Sequence, residues 1–193
     1  MSNFTGKVIL VTGAGKGSGR LAAVTFAAKG ATVAVNDVSP VNLDETVATI
    51  LAAGGRVKDY VEDISKKMPV QTLLNQVLDD FGRIDILVNC AEVEPTFSVL
   101  EMDDWDWQRT LDVNLTGVFL LTQSVGRIMK EKGGGIIVHM DKHAKGPERR
   151  AAYFASKAGA AALVKTAADE FASFGVRVHY AKTLGEALEV CGR

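Results

Sequence analysis

The segment Thr12-Gly13-Ala14-Gly15-Lys16-Gly17-Ser18-Gly19 constrains the fold of this chain more than any other. The apolar run Val8-Ile9-Leu10-Val11 before it has the composition of a buried strand. Arg20 to Lys29 after it contains neither Gly nor Pro and is helix-prone. Glycines between a buried strand and a helix let the chain turn sharply and let a ligand pyrophosphate approach the backbone. The start of the helix then offers unpaired N–H groups, and the positive end of its dipole, to that anion. Glycine is common in turns of every kind, so the triad acquires meaning only from the rest of the chain.

Downstream of the loop the elements alternate regularly. Strands are predicted at Val8–Val11, Thr32–Asn36, Arg56–Val61, Ile84–Asn89, Ile136–Met140 and Val176–Tyr180, mostly short runs rich in Val and Ile. Between them lie helical patterns. The clearest is Val70, Leu73, Leu74, Val77, Leu78 and Phe81, an i, i+3, i+4, i+7, i+8, i+11 stripe with Gly82 as its stop. One long helix is predicted from about Asp103 to Lys132, ended by Gly133-Gly134-Gly135, and another from about Arg150 to Phe174, ended by Gly175. A short helix is expected over Gly185 to Val190. Repeated βα units imply an α/β fold, a doubly wound parallel sheet with helices on both faces. Ser39-Pro40 reads as a loop opening the second helix, so residues 1–193 are expected to form a single Rossmann-like dinucleotide-binding domain.

The net charge of −1 argues against nucleic acid or an anionic membrane as a partner. Met1 to Lys7 lacks the basic-then-apolar layout of a signal peptide, and no apolar run reaches the roughly 18 residues of a membrane span. The two cysteines, Cys90 and Cys191, form neither a metal spacing nor a disulfide framework. Cys90, at the end of an apolar strand, is expected to be a buried thiol, and a reducing, cytoplasmic setting fits best.

Three side chains carry chemistry. Asp37 ends the second strand, 18 residues past Gly19, where a dinucleotide fold places the acid that accepts hydrogen bonds from the adenosine ribose. A carboxylate there favours NAD and repels the 2′-phosphate of NADP. The same residue could instead be a solvated strand end, and Lys16 inside the loop is a cation that would attract that phosphate. No basic residue directly follows Asp37, so NAD is expected over NADP. Tyr153 and Lys157 are spaced i, i+4 on a predicted helix, with phenol and ammonium one turn apart on one face. A nearby cation lowers a phenol pKa from its usual value near 10, so that the phenol can exchange a proton with an alcohol or carbonyl.

Other motifs come in order along the chain. They are Asp63 in Glu62-Asp63-Ile64, Asn89-Cys90-Ala91-Glu92, Trp107, Asn114 in Asp112-Val113-Asn114-Leu115-Thr116-Gly117, and Ala158-Gly159 after the Tyr153–Lys157 pair. With Thr12-Gly13-x3-Gly17-x-Gly19 they make the chain similar to the short-chain dehydrogenase/reductase family, from Lys7 to about Tyr180. The resemblance implies that Thr12, Gly13, Lys16, Gly17, Ser18 and Gly19 form the cofactor loop. It implies that Asp63 and Ile64 contact the adenine, and that Asn89 and Ala91 support the sheet and the cofactor. Tyr153 would be the general acid/base. Lys157 would hold the nicotinamide ribose and lower the tyrosine pKa, and Asn114 would hold a water linking the lysine to solvent. Trp107 would be a packing residue. Hydride would pass directly between the nicotinamide and the substrate carbon, so no metal is expected.

Three departures stand against the resemblance. The family places a serine shortly after the fifth strand, but Val138-His139-Met140-Asp141-Lys142-His143-Ala144 contains no Ser or Thr. Counting back from Tyr153 puts Met140 at that position, and counting forward from Gly135 puts Lys142 there. Lys142, His139 or His143 would be a replacement donor, or else a solvated loop residue, the favoured alternative. Glu92 stands where the family has glycine, adding bulk and charge beside the cofactor. Finally, Thr183-Leu184 replaces a Pro-Gly turn, and the sequence stops at Arg193, before the substrate lid and last strand that the resemblance expects.

The expected function is an NAD(P)(H)-dependent oxidoreductase interconverting a secondary alcohol and a ketone or 3-oxo group of a small molecule. The competing expectation is an impaired family member that binds dinucleotide or a partner without efficient turnover. A homodimer or homotetramer is expected through Leu115, Val118, Phe119, Thr122 and Val125 on one helix and Ala158, Ala161, Ala162 and Lys165 on the other.

Overall fold

A computed structural model describes residues 3–141, 146 and 148–193. Six strands, β1 (Val8–Thr12), β2 (Thr32–Asp37), β3 (Arg56–Val61), β4 (Ile86–Asn89), β5 (Gly135–Met140) and β6 (Val176–Ala181), form one sheet in the order β3-β2-β1-β4-β5-β6. Every pairing is parallel. The strand order reverses between β1 and β4, and a crevice opens at their carboxyl ends, where such folds bind ligands.

The alternation of side chains along each strand divides the core in two. Leu10, Ala34, Leu87 and Ile137 face α3 (Lys67–Phe81), α5 (Gly117–Glu131) and α6 (Ala151–Phe171). Ile9, Val11, Val33, Val35, Val88 and Val138 face α1 (Gly17–Ala28), α2 (Pro40–Ala52) and α7 (Leu184–Cys191). Each fully buried Leu or Ile contributes about 1.5–3 kcal/mol relative to exposure. The α3 stripe buries Val70, Leu73, Leu74 and Val77, and Gly82 ends the helix at φ 70°, a left-handed cap.

The structure shifts some boundaries. β4 begins at Ile86, not Ile84, because Asp85 accepts a hydrogen bond from Val8 N at 2.8 Å and anchors the turn. The last residues of the helix expected to reach Phe174 tighten into a 3₁₀ turn, Ala172–Phe174. The single helix expected over Asp103–Lys132 is interrupted. α4 (Asp104–Leu111) passes into a π turn, Asp112–Thr116, before α5. The wider turn admits Asn114, which is 2% exposed and points inward.

The expected oligomer face is also corrected. Val118, Thr122 and Val125 are buried against the chain's own sheet, since they share the inward stripe of α5 with Leu121 and Met129. Phe119, Ala158, Ala161, Ala162 and Lys165 are exposed, while Leu115 packs on Gly159. Cys90 is half-buried rather than buried, and Cys191 lies in the core. Trp107 is 40% exposed, so it is only partly packed. Among the described residues no helix is long and apolar enough to cross a membrane.

Candidate active site

The crevice above β1 and β4 encloses about 360 Å³ and is lined by the glycine loop, Asp37, Asp63, Ile64, Ala91, Glu92 and Arg109. Its volume lies within the range of small-molecule sites. Backbone clearance explains the loop. Gly13 sits at φ 68°, and a Cβ there would stand 2.6 Å from the Ala91 backbone. At Gly19 a Cβ would collide with the Gly13 carbonyl, which seats α1 against the loop. Lys16, at the N-cap of α1, is exposed and extended, and no side chain caps that helix. Its first-turn N–H groups therefore face the crevice as an anion site. Thr12 is buried and Ser18 half-buried.

Asp37 supports this loop directly. Its Oδ2 accepts from Gly15 N at 3.0 Å and its Oδ1 from Ser39 N at 3.1 Å. Arg20 clamps the loop from the other side, donating through Nε to Gly15 O at 3.1 Å and pairing with Glu45 at 2.8 Å. Sequence patterns do not single out Arg20. Its spacing from Gly19 carries no signal, because its partners lie across α2. Asp63 accepts from Ser65 N at 2.9 Å and pairs with Arg109 at 3.1 Å. Burial alone would push its carboxyl up, but the bonds from Ser65 and the Arg109 charge outweigh it and hold the group below the usual range. Arg109 is a second unpredicted member, and it brings a cation to the Asp63 side of the crevice.

Behind the crevice runs a buried polar chain. Thr12 Oγ1 donates to Asn89 Oδ1 at 2.5 Å, and Ala91 N donates to the same oxygen at 3.2 Å. Asn89 Nδ2 meets His139 Nδ1 at 3.1 Å, and His139 Nε2 meets Thr122 Oγ1 at 2.8 Å. Thr122 gives its one hydroxyl proton to Val118 O at 2.7 Å. It must therefore accept from His139, so Nε2 carries the imidazole proton and Nδ1 accepts from Asn89. His139 is 1% exposed. Burial first, and the charge of Lys157 second, push its pKa down to about 3. The expectation that His139 is a solvated loop residue, or a donor replacing the serine, is overturned. It is a neutral core residue on β5 whose nitrogens are both engaged. Lys142 and His143 lie outside the described residues. Met140 contributes its carbonyl, which accepts from Lys157 Nζ at 3.3 Å.

Tyr153 and Lys157 come from the first turns of α6. Their hub is Glu92. Its Oε2 lies 2.9 Å from Lys157 Nζ and accepts from the Tyr153 hydroxyl at 3.2 Å. Asp141 Oδ1 is 4.0 Å from the same ammonium, which sits 5.3 Å from the Tyr153 ring centre. The expectation that Lys157 lowers the phenol pKa is reversed in this arrangement. Burial of Tyr153, then the charge and hydrogen bond of Glu92, then Asp141 and Glu94, raise it. The ammonium already faces a carboxylate, and a phenolate would stand against that carboxylate.

Asn114 is not brought to Lys157 by any of its side-chain bonds. Its Oδ1 accepts from Val93 N at 2.9 Å, and its Nδ2 donates to Val93 O at 2.8 Å and Ser156 Oγ at 3.2 Å. It pins the segment after Glu92 to α6, which positions the hub. Thr183, at the place of the expected Pro-Gly turn, caps α7 by accepting from Glu186 N at 3.1 Å. Among the described residues no group of three His, Cys, Asp or Glu is placed to hold a metal.

The glycine loop, the uncapped start of α1 and the size of the crevice fit a dinucleotide, and Glu92 is the member that crowds it. Comparison with known proteins agrees on the family. A model described as short chain dehydrogenase matches residues 7–184. An uncharacterized oxidoreductase of Thermotoga maritima is 40% identical over 179 residues, covering 92% of this chain and 70% of that protein. A 3-oxoacyl-[acyl-carrier-protein] reductase of Synechocystis is 40% identical over 182 residues, covering 93% and 74%. Among solved structures, an NAD+-bound xylitol dehydrogenase superposes with a TM-score of 0.88 at 35% identity, over 93% of this chain and 70% of that one. A short chain dehydrogenase from Mycobacterium smegmatis gives 0.90 at 30% identity, over 100% and 88%. The chain belongs to the short-chain dehydrogenase/reductase family.

Proposed function

We propose that this short-chain dehydrogenase/reductase interconverts a secondary alcohol and a ketone or 3-oxo group on a small molecule, with NAD preferred over NADP. The observation that carries the reading is the continuity made by Glu92, which lines the crevice and also touches both Tyr153 and Lys157. The anion seat of the loop and the proton-handling pair on α6 therefore belong to one site. When bound, the nicotinamide would supply or accept the hydride. Tyr153 would pass the proton between its hydroxyl and the substrate oxygen. Lys157, one turn on, would bind ribose hydroxyls and balance charge at the phenol. Asp37, at the end of β2 with both oxygens held, would meet the adenosine ribose and disfavour a 2′-phosphate.

A second reading, dinucleotide binding without efficient turnover, is favoured by one observation, the Glu92 carboxylate 3.2 Å from the buried Tyr153 hydroxyl, which opposes its ionisation. Either reading fits a homodimer or homotetramer formed through the exposed α5 and α6 residues Phe119, Ala158, Ala161 and Ala162. A reducing cytoplasmic compartment suits Cys90 and Cys191, neither of which is in a disulfide. Turnover with NADH or NADPH against a panel of ketones, with calorimetric affinities for both dinucleotides, tests the function. Oxidation of NADH that Met140→Ser or Lys142→Ser, both tried, raises by roughly tenfold or more would support the enzyme and restore an oxyanion donor. No turnover by any of these proteins, with dinucleotide still bound, would select the binding-only reading.

A further inference from the structure

Two consecutive peptide groups of the glycine loop are held in different ways. The Ala14–Gly15 peptide is fixed at both ends. Thr46 Oγ1 donates to its carbonyl at 2.9 Å, and Asp37 Oδ2 accepts from its N–H at 3.0 Å. The Gly15–Lys16 peptide is held through its carbonyl alone. Arg20 donates to Gly15 O through Nε at 3.1 Å and also through Nη2, while the Lys16 N–H has no acceptor among the described residues. The guanidinium is in turn fixed from α2. Its Nη2 donates to Asn42 O at 3.2 Å and pairs with Glu45 at 2.8 Å, and its Nε donates to the hydroxyl of buried Thr46 at 3.1 Å.

The Gly15–Lys16 peptide is trans, so its carbonyl and its N–H point to opposite sides. Lys16 is among the residues that line the crevice, and Gly15 and Arg20 are not. We propose that Arg20 is a positioning residue for dinucleotide binding: it keeps the Gly15 carbonyl turned out of the crevice, so that the Lys16 N–H meets the ligand's pyrophosphate beside the uncapped first turn of α1. Arg20 touches no ligand and acts through the loop. Without it nothing opposes a half-turn of this peptide, and the turned peptide sets a carbonyl oxygen, a negative dipole end, against the phosphate oxygens. The preceding peptide cannot take over, because Thr46 and Asp37 already fix it. The proposal rests on the dinucleotide reading of the crevice.

Calorimetry of the full chain with NAD+ and with ADP, which carries the pyrophosphate without the nicotinamide, tests the role. Arg20→Ala should weaken both ligands by the same factor, about tenfold or more. Adenosine, followed by saturation-transfer NMR, should bind wild type and variant equally, because it brings no anion to the loop. Two further variants separate the hydrogen bond from the charge. Arg20→Gln loses the charge but keeps an N–H for the carbonyl, and should bind ADP more tightly than Arg20→Ala. Arg20→Lys keeps the charge but loses the planar fork, and should bind ADP more weakly than wild type. In the ligand-free protein the Lys16 amide resonance should broaden in Arg20→Ala as the peptide turns. Unchanged ADP affinity in Arg20→Ala, or an equal loss for adenosine, would overturn the positioning role while leaving the dinucleotide reading intact. So would Arg20→Gln as weak as Arg20→Ala with Arg20→Lys as tight as wild type, the pattern of charge alone. If Arg20→Ala does not fold, the Gln and Lys variants decide against wild type by the same comparison: both weaker supports the role, and either one equal to wild type overturns it. Failure of wild type to bind NAD+, NADP+ or ADP would overturn the dinucleotide reading, and this proposal with it.

Discussion

The glycine loop lines the crevice, the Tyr153 cluster adjoins it through Glu92, and the two are built by opposite means. The loop works through backbone. Gly13 and Gly19 leave no room for a Cβ, and Asp37 and Arg20 only brace the peptide groups around Gly15. The cluster works through side-chain charge. Tyr153, Lys157 and Glu92 meet through one carboxylate oxygen, and exchanging that one residue would remove a charge that raises the Tyr153 phenol pKa. A backbone site announces itself in sequence because glycine is needed at set positions. A charge cluster does not, because its behaviour depends on which residue arrives from another segment.

The largest expected effect separates the two regions cleanly. Tyr153→Phe should lower turnover by about 10²–10⁴-fold, the usual share of general acid–base catalysis, while calorimetry finds dinucleotide affinity within about twofold of wild type. A large loss of affinity would mean that the phenol is part of the binding seat and would break the division.

Gly13→Ala probes the other region. The new Cβ meets the Ala91 backbone at 2.6 Å, and the residue sits at φ 68°. The left-handed conformation alone is unfavourable by about 1–2 kcal/mol. Dinucleotide affinity should fall by about tenfold or more, with the pH at which Tyr153 titrates unchanged. A shift in that titration would show that the regions are mechanically coupled through Ala91.

A smaller effect is expected at Asp37→Ala, where the NAD preference over NADP should narrow by about tenfold or less. Both affinities should also drop somewhat, because the Gly15 N–H loses its acceptor. Wild-type preference for NADP would instead put Lys16 ahead of Asp37.

The least local prediction concerns stability. His139 has a pKa near 6.5 when unfolded and about 3 in the fold. Between those values the unfolded chain binds a proton that the native one does not. The stability contributed by the neutral imidazole is therefore full above pH 6.5 and is lost as pH falls toward 3. His139→Gln, which does not titrate, should flatten this dependence. Urea midpoints at about pH 7.5 and about pH 4.5 measure it, and equal slopes in both proteins would show that the buried chain from Thr12 to Thr122 is open to protons.

By itself the sequence determined the doubly wound sheet, the order of its elements and the identity of the loop. Those rest on short-range patterns: Val and Ile runs at strand positions, the Val70–Phe81 stripe, and glycines where backbone must pass backbone. It also marked Glu92 as out of place. Tertiary structure alone decided what Glu92 does, because its partners lie 61 and 65 positions further along the chain and meet it only when β4 and α6 pack. The same holds for His139, which lies in the predicted fifth strand but whose side chain, expected in solvent, is buried, and for Arg20 and Arg109, whose partners come from α2 and from Asp63. Periodicity is local and legible. Charge in a low-dielectric crevice depends on every group within a few ångströms, and folding chooses those neighbours.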